Sequence, residues 1–148
     1  MRRMSYAEMP CPVARTLDVV GEWWSLLIVR DAVFGARRFE DFKASGIADN
    51  ILSARLKRLV DEGIFERPYQ DRPVRFEYLL TEKGRALSPV LLALRGWGQK
   101  WSKGDNFRKV RHRGHNHEVS VRVYCDDCGR PVSAHEVEPV LSTPLAAL

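Results

Sequence analysis

The chain has 148 residues, enough for one domain and an appendage, and its 45% hydrophobic and 29% charged residues are typical of a globular protein. A net charge of +5 favours a polyanionic partner, and three cysteines without a signal peptide favour a reducing cytoplasm and argue against a disulfide framework. Apolar runs such as Leu26–Val29 are too short to span a bilayer, so no membrane partner is expected.

The first part of the chain predicts a loose arm followed by two helices. The arm is expected over residues 1–10. A helix is predicted to begin at Cys11-Pro12, because proline fits the first helical position, and to end at Gly21. A second helix is predicted over Glu22–Phe34, and its broad apolar surface is typical of a central core helix.

A short helix and a longer amphipathic helix follow. Residues 37–39 allow only a bridge or a tiny strand, and Glu40–Ala44 gives one or two helical turns. From Ala48 to Glu62 the leucines Leu52, Leu56 and Leu59 form an apolar stripe at 100° per residue, opposite a small, polar and cationic face. The pattern fits an ordinary solvated helix or a recognition helix in a DNA major groove, and the neighbouring elements favour the second.

Two alternating segments then predict a β-hairpin. They are Ile64–Tyr69 and Val74–Leu80, joined by a polar turn over residues 70–73. Pro68 has no N–H donor, so it is expected to limit the strand ladder near the tip.

A long helix is predicted after the hairpin, with Thr81 as its N-cap, Gly104 at its end and a kink at Pro89. Apolar residues repeat along it at heptad-type spacing, and its apolar surface is wider than this one seam. We therefore expect a partner subunit to cover one side, the alternative being that the helix packs entirely against its own domain.

The remaining chain, residues 104–148, is predicted to be a tail with a zinc-binding hairpin over residues 112–130. Cys125-Asp-Asp-Cys128-Gly129 has the pattern of a zinc knuckle, and a strand predicted over 119–123 would bring upstream histidines beside it. The candidate ligands of one structural zinc are Cys125 and Cys128 with two of His112, His115 and His117. The alternative is a metal-free hairpin with two reduced thiols.

The order of these elements predicts a mainly α-helical protein with a β-hairpin wing, the winged helix-turn-helix. Recognition helix 49–62 would enter the major groove, and wing 68–76 would reach the backbone or the minor groove. The candidate DNA contacts are Arg37 and Arg38, then Asn50, Ser53, Arg55, Lys57 and Arg58 on the helix, and Arg72 and Arg75 on the wing. For Arg58 the alternative is an ion pair within the helix.

The sequence resembles the HxlR-type regulators, bacterial winged-helix transcription factors related to the MarR type. The resemblance covers residues 11–101 and rests on Cys11-Pro-Val13, Trp24, Leu26-Leu-Ile-Val-Arg-Asp31, Arg37-Arg-Phe39, Ile51-Leu-Ser-Ala-Arg-Leu-Lys-Arg-Leu59, Glu62-Gly-Ile64, Arg72-Pro-Val-Arg-Phe-Glu-Tyr78 and Leu80-Thr-Glu-Lys-Gly84. The family often has Ser-Pro where this chain has Ala48-Asp49, which leaves Asp49 or Asn50 to cap the recognition helix.

The resemblance implies that residues 11–103 form a DNA-binding and dimerisation domain, which binds a pseudo-palindromic operator as a homodimer. The first and last helices would join the subunits. The residues expected in this interface are Val13, Leu17, Leu87, Val90, Leu94, Trp97 and Trp101.

Two features suggest a signal for such a regulator. Cys11 lies at a helix N-terminus, and the resemblance suggests a redox or electrophile switch, the alternative being a small buried residue at the dimer helix. Trp23, Trp24 and Trp97 can line a small-molecule effector pocket at the dimer interface, although such residues more often belong to the core.

The sequence features bear on three classes of function. A dimeric DNA-binding regulator is favoured, with double-stranded DNA as partner and no cofactor required by its DNA-binding domain. An enzyme that uses Cys125 and Cys128 is disfavoured, because neither a strand-to-helix CxxC nor an H-E-x-x-H pair is present. A winged-helix interaction module with an incidental basic surface is the third class, and the salt dependence of DNA binding distinguishes it.

Overall fold

The computed structural model describes residues 5–71, 74–104 and 109–140. They form two compact units with a boundary between Ser88 and Pro89, and each unit is described by itself. None of the helices within these ranges is both long enough and apolar enough to cross a membrane. The predicted division into arm, domain and tail stays a prediction.

The first unit contains the four helices predicted for its first half. Pro12 occupies the first turn of its helix with Cys11 as N-cap, and the Gly21 N–H donates to the Leu17 carbonyl oxygen at 2.8 Å. The four helices are α1 (Pro12–Val20), α2 (Trp23–Val33), α3 (Phe39–Lys43) and α4 (Asp49–Asp61). Their bounds agree with the predicted ones to within a few residues, since proline, glycine and apolar spacing all mark them.

Helix α2 is central, as predicted, because it contacts α1, α3 and α4. Val29 of α2 and Phe42 of α3 are fully buried, at 0% exposure. The rings of Phe42, Phe65 and Tyr78 meet pairwise at 6.2–6.3 Å between centroids in edge-to-face geometry. This aromatic triad joins the short helix α3 to the wing.

A polar network fixes the turn between α3 and α4. The Ser45 hydroxyl donates to Asp31 Oδ2 at 2.6 Å, and Arg30 donates to Asp31 Oδ1 at 2.7 Å and to the Ser45 hydroxyl at 3.1 Å. Gly46 supplies the positive φ of +80° that the turn requires. Because Arg30 and Asp31 belong to α2, the network ties the turn before α4 to the central helix.

Helix α4 ends in a Schellman motif. The Gly63 N–H donates to the Val60 carbonyl at 2.9 Å, and the Ile64 N–H donates to the Leu59 carbonyl at 2.8 Å. Gly63 has a φ of +70°, the left-handed conformation that this motif uses. The motif turns the chain directly into the wing.

The wing is a hairpin with an interruption in its middle. Its strands are β1 (Phe65–Glu66), β2 (Tyr69–Asp71), β3 (Val74–Phe76) and β4 (Leu79–Leu80). Strand β1 pairs with β4 and β2 with β3, in one continuous register. The ladder breaks because Pro68 has no N–H, so this pair keeps only the bond from the Glu77 N–H to the Pro68 carbonyl at 3.4 Å. On the other edge of its strand the Tyr78 N–H donates to the Arg37 carbonyl at 2.7 Å. The hairpin prediction is confirmed, but Pro68 interrupts the ladder well before its tip.

The prediction of one kinked helix after the wing is wrong. Two helices form instead, α5 (Glu82–Arg85) and α6 (Ser88–Trp101), separated by a turn. Pro89 has no N–H to donate to the Arg85 carbonyl, and the turn falls directly before α6, where proline fits the first turn of the new helix. The predicted cap is confirmed, because the Gly84 N–H donates to Thr81 Oγ1 at 3.1 Å.

In the second unit α6 is followed by two tight turns. Isolated bridges close them, Arg111 with Glu118 and Tyr124 with Pro131, and one turn of 3₁₀ helix covers Ala134–Glu136. The predicted strand over 119–123 does not form in this described segment. Only its ends are held, by hydrogen bonds from the Val119 N–H to Val110 and from the Val132 N–H to Val123.

Candidate nucleic-acid interface

Helix α4 has one buried face and one exposed face, as predicted. Leu52, Leu56 and Leu59 are 0% exposed. The exposed face carries Asn50, Ser53, Ala54 and Lys57. The four side chains are small or polar, so the face can approach base edges closely, and lysine adds a positive charge for phosphate.

Lys57 is held by a neighbour on the same helix. Its Nζ lies 2.6 Å from Asp61 Oδ2, and the two side chains are 77% and 59% exposed. Exposed ion pairs of this kind contribute about 0–1 kcal/mol, so Lys57 can exchange Asp61 for a phosphate at little cost. Within the described ranges the side chains of Asn50 and Ser53 make no hydrogen bond, which leaves both available to a ligand.

Two other cations of α4 lie on its flanks and bind their own protein. Arg55 forms an ion pair with Glu22 at the start of α2, and only 24% of its side chain is exposed. Arg58 donates to the Asp18 carbonyl oxygen at 2.6 Å, with the Asp18 and Glu62 carboxylates 4.0 and 3.9 Å away. Both arginines were predicted as DNA contacts, and the structure places them towards α2 and α1.

The N-terminus of α4 has no side-chain cap. Ala48 occupies the N-cap position, so neither Asp49 nor Asn50 takes over the cap that the resemblance implied. The Asp49 carboxylate instead lies 3.1 Å from Lys43 Nζ, and this bond raises the pKa of Lys43. Asp49 in the first turn also favours the positive end of the helix dipole.

Arg37 and Arg38 precede α3 and are exposed. Their backbone N–H groups donate to Asp41 Oδ2 at 2.9 and 2.8 Å, and these bonds lower the pKa of the Asp41 carboxyl. The backbone of both exposed arginines is thus fixed at the start of α3, and the Arg37 carbonyl is bonded to the wing through the Tyr78 N–H.

The wing carries three arginines, which differ in what the structure shows of their contacts. Arg72 lies outside the described residues. Arg75 has its Nε 3.8 Å from Glu77 Oε1. The third, Arg67, was not singled out from the sequence. Its guanidinium lies 3.9 Å from the Phe76 ring centroid.

A groove of about 680 Å³ separates α4 from the wing. Its walls are the start of α3, the exposed side of α4 and the inner face of the hairpin. Three cations line it, Arg38, Lys57 and Arg67, together with two acids, Glu40 and Asp61. Only two of these cations and neither acid had been associated with a site from the sequence.

The predicted zinc ligands lie in the two tight turns of the second unit. The rings of His112 and His115 stack at 4.5 Å between centroids, and His115 and His117 lie at 6.1 Å. Cys125 and Cys128 share the other turn, where the backbone N–H groups of Cys128 and Asp127 lower the pKa of the Cys125 thiol. Among the residues described, the structure brings together no group of three or more metal-ligating side chains. The zinc site stays a prediction.

Cys11 is a free, half-buried thiol at the N-cap of α1.

The predicted interface residues are mostly exposed on their own units. On α1, Val13 is 66% and Leu17 48% exposed, while on α6 no residue is buried and Trp97 is 66% exposed. Leu87 is half-buried, and the seam exposes Val90, Leu94 and Trp101 as well.

The fold and the exposed helix define a winged helix-turn-helix protein of the transcription-regulator class. The sequence pattern of the family described as HxlR-like helix-turn-helix matches residues 19–106. The chain therefore belongs to this family, as its resemblance implied.

Comparisons with individual proteins agree with this assignment. An HTH-type transcriptional regulator of Mycobacterium tuberculosis is 41% identical over 132 residues, which cover 86% of this chain and 83% of that protein. The crystal structure of PA1607, a candidate transcription factor, has a TM-score of 0.83 at 41% identity and covers 92% of this chain and 98% of its own. The reduced form of the transcriptional regulator YodB of Bacillus subtilis has a TM-score of 0.55 at 32% identity, covering 66% and 100%.

Proposed function

We propose that the protein is a homodimeric, sequence-specific DNA-binding regulator whose α4 helices enter successive major grooves of a pseudo-palindromic operator. The observation that carries the proposal is the division of α4 into a fully buried leucine face and an exposed face of Asn50, Ser53, Ala54 and Lys57. A helix held by its core face on a helix-turn-helix presents its other face to DNA. Of the five predicted contacts on α4, we retain Asn50, Ser53 and Lys57.

The homodimer is supported by apolar side chains that their own units leave exposed. Trp97 and Trp101 of α6 are 66% and 64% exposed, and Val13 of α1 is 66% exposed. Exposed apolar patches of this kind mark interfaces in soluble proteins. A two-fold dimer also gives two copies of α4, and therefore two half-sites about 34 Å apart on the duplex.

Selection of bound duplexes from a random pool tests the proposal. We expect recovered sequences to share two inverted half-sites with centres about 10 base pairs apart. Lys57→Ala is expected to weaken binding of the recovered duplex about tenfold, while Gln99→Ala on α6 leaves it unchanged. Recovery of no sequence pattern, together with an affinity that is insensitive to salt, would favour the interaction module.

A second candidate function is a redox-controlled regulator switched through Cys11. It is supported by the free, half-buried thiol at the N-cap of α1, a helix with exposed apolar residues. A structural neighbour is the redox regulator HypR, 35% identical with a TM-score of 0.55. We expect diamide to change the affinity of the wild-type protein for its duplex and to leave Cys11→Ser unaffected. An equal response of both proteins would exclude Cys11 as the switch.

A further inference from the structure

Arg67 is held in a fixed position on the inner face of the wing. Its guanidinium carbon lies 3.9 Å from the centroid of the Phe76 ring and 5.4 Å from that of Tyr78. Tyr78 is 9% exposed and belongs to the aromatic triad of the core, so the stack stands on a rigid base. Stacking holds the plane of the guanidinium while its N–H groups stay free to donate.

The charges around the groove leave Arg67 as a cation available to a ligand. Arg67 is exposed and has no ion pair within the described part of the chain, in contrast to Lys57, which faces Asp61 at 2.6 Å. The other acid of the groove, Glu40, has Lys43 3.5 Å away. In the unbound protein each acid of the groove therefore has a lysine partner, and neither of them occupies the Arg67 guanidinium, which an anion in the groove would meet.

We propose that Arg67, stacked on Phe76, binds a phosphate of the DNA backbone in the groove between α4 and the wing. This inference rests on the proposed function and adds a residue to it. The groove opens beside Ser53 and Lys57 of the exposed α4 face, so a strand whose bases meet that face passes its backbone along this opening. Arginine binds phosphate through two parallel N–H donors, and stacking presets the orientation that this requires.

Fluorescence anisotropy on a labelled duplex tests the inference. The probe is a duplex of about 30 base pairs, or three helical turns, recovered in the selection above and titrated over a range of salt concentrations. Arg67→Ala is expected to raise the Kd about tenfold and to reduce the slope of log K against log salt by about 0.9, the value for one lost phosphate contact. Arg85→Ala removes an exposed charge from α5 and serves as the matched control, with no change in slope.

Two further variants separate the charge from the stack. Arg67→Lys keeps the charge, so the salt slope should stay near the wild-type value while the affinity falls a few fold. Phe76→Leu removes the ring, and the same few-fold loss with an unchanged slope is expected. These variants also decide the case if Arg67→Ala fails to fold.

The inference is overturned if Arg67→Ala binds with wild-type Kd and salt slope while Lys57→Ala is weakened, and the proposed function then stands. It is also overturned if Arg85→Ala loses as much slope as Arg67→Ala, because the effect would then follow net charge. A wild-type protein that binds no duplex would instead contradict the proposed function itself.

Discussion

Some charged side chains of α4 can exchange their protein partners for a ligand, and others cannot. Lys57 and Asp61 are mostly exposed, whereas the Arg58 side chain is 34% exposed and donates to a main-chain carbonyl of α1. A bond from a charged donor to a partly buried carbonyl contributes more to stability than an exposed ion pair does. Arg58 therefore belongs to the structure that supports the interface.

Arg58→Ala is accordingly expected to lower the free energy of unfolding by about 1 kcal/mol, because the Asp18 carbonyl loses its charged donor. Lys57→Ala, which removes only an exposed pair, should change it by less than about 0.5 kcal/mol. Urea denaturation of both variants measures the difference. An unfolding free energy for Arg58→Ala equal to that of the wild type would show that this bond adds nothing.

Asp41 gives the fold a pH dependence at the start of α3. The two backbone N–H bonds lower the pKa of its carboxyl in the folded state, so its stabilisation is present above the unfolded-state pKa and is lost as pH falls through the folded-state pKa. Asp41→Ala should cost about 1 kcal/mol at neutral pH, the usual worth of a capping side chain. The difference should vanish in acid, and urea curves across pH measure it. A difference independent of pH would contradict this account.

The sequence could predict which residues of α4 are buried, because leucine spacing alone determines the stripe. It gave the pairing of Arg58 within the helix only as an alternative, and it did not predict the partners Glu22 and Asp18 that Arg55 and Arg58 find outside α4. Arg58 and its acceptor Asp18 are 40 residues apart, and only the packing of α1 against the domain brings them together. Arg67 was missed as well, because its stacking on Phe76 depends on the register of the two strands.

At the scale of elements, two prolines show where prediction from the sequence succeeds and where it fails. Pro12 marks the start of α1 correctly, since its missing N–H is not needed there. Pro89 was expected to bend a helix and instead separates α5 from α6. The sequence shows that a hydrogen bond is lost, but the choice between a kink and a break depends on what packs on each side.

The two turns of the tail carry side chains that can bind a metal ion. The histidines lie in one turn and the two thiols in the other. We expect one equivalent of zinc per chain in metal analysis of protein purified without a histidine tag, with less than about half retained by Cys128→Ser. Cys11→Ser, a thiol outside the tail, is the control. Wild-type protein that contains no zinc would contradict the prediction of a zinc site.

At the scale of the whole molecule, assembly is expected to depend on the exposed seam of α6. Leu94 is 52% exposed, and a carboxylate at this position would have to be buried in the dimer. Leu94→Asp should sediment as a monomer and lose at least about tenfold in affinity for the duplex, since two half-sites no longer bind together. Gln99→Asp, also on α6 and exposed, is the matched control. A dimeric Leu94→Asp would exclude this seam.

The architecture of the winged domain from α1 to the wing was predictable because each of these elements carries a local signal, whether proline, glycine, leucine spacing or strand alternation. Self-association leaves only an indirect trace in one chain, namely apolar side chains without a partner. The order of elements predicted the class of protein, whereas the positions of the charged side chains in the groove could be found only from the three-dimensional structure.

The unbroken register of the wing has a consequence for how this protein can change. Residues on both sides of the gap at Pro68 keep the same pairing, Phe65 with Leu80 and Tyr69 with Phe76. Lengthening both arms by two residues would extend the reach of the tip and return every side chain to its original face. Adding one residue to each arm would invert the outer part. The hairpin can thus vary in length in steps of two, which makes it a site for grafting longer tips with new DNA preferences.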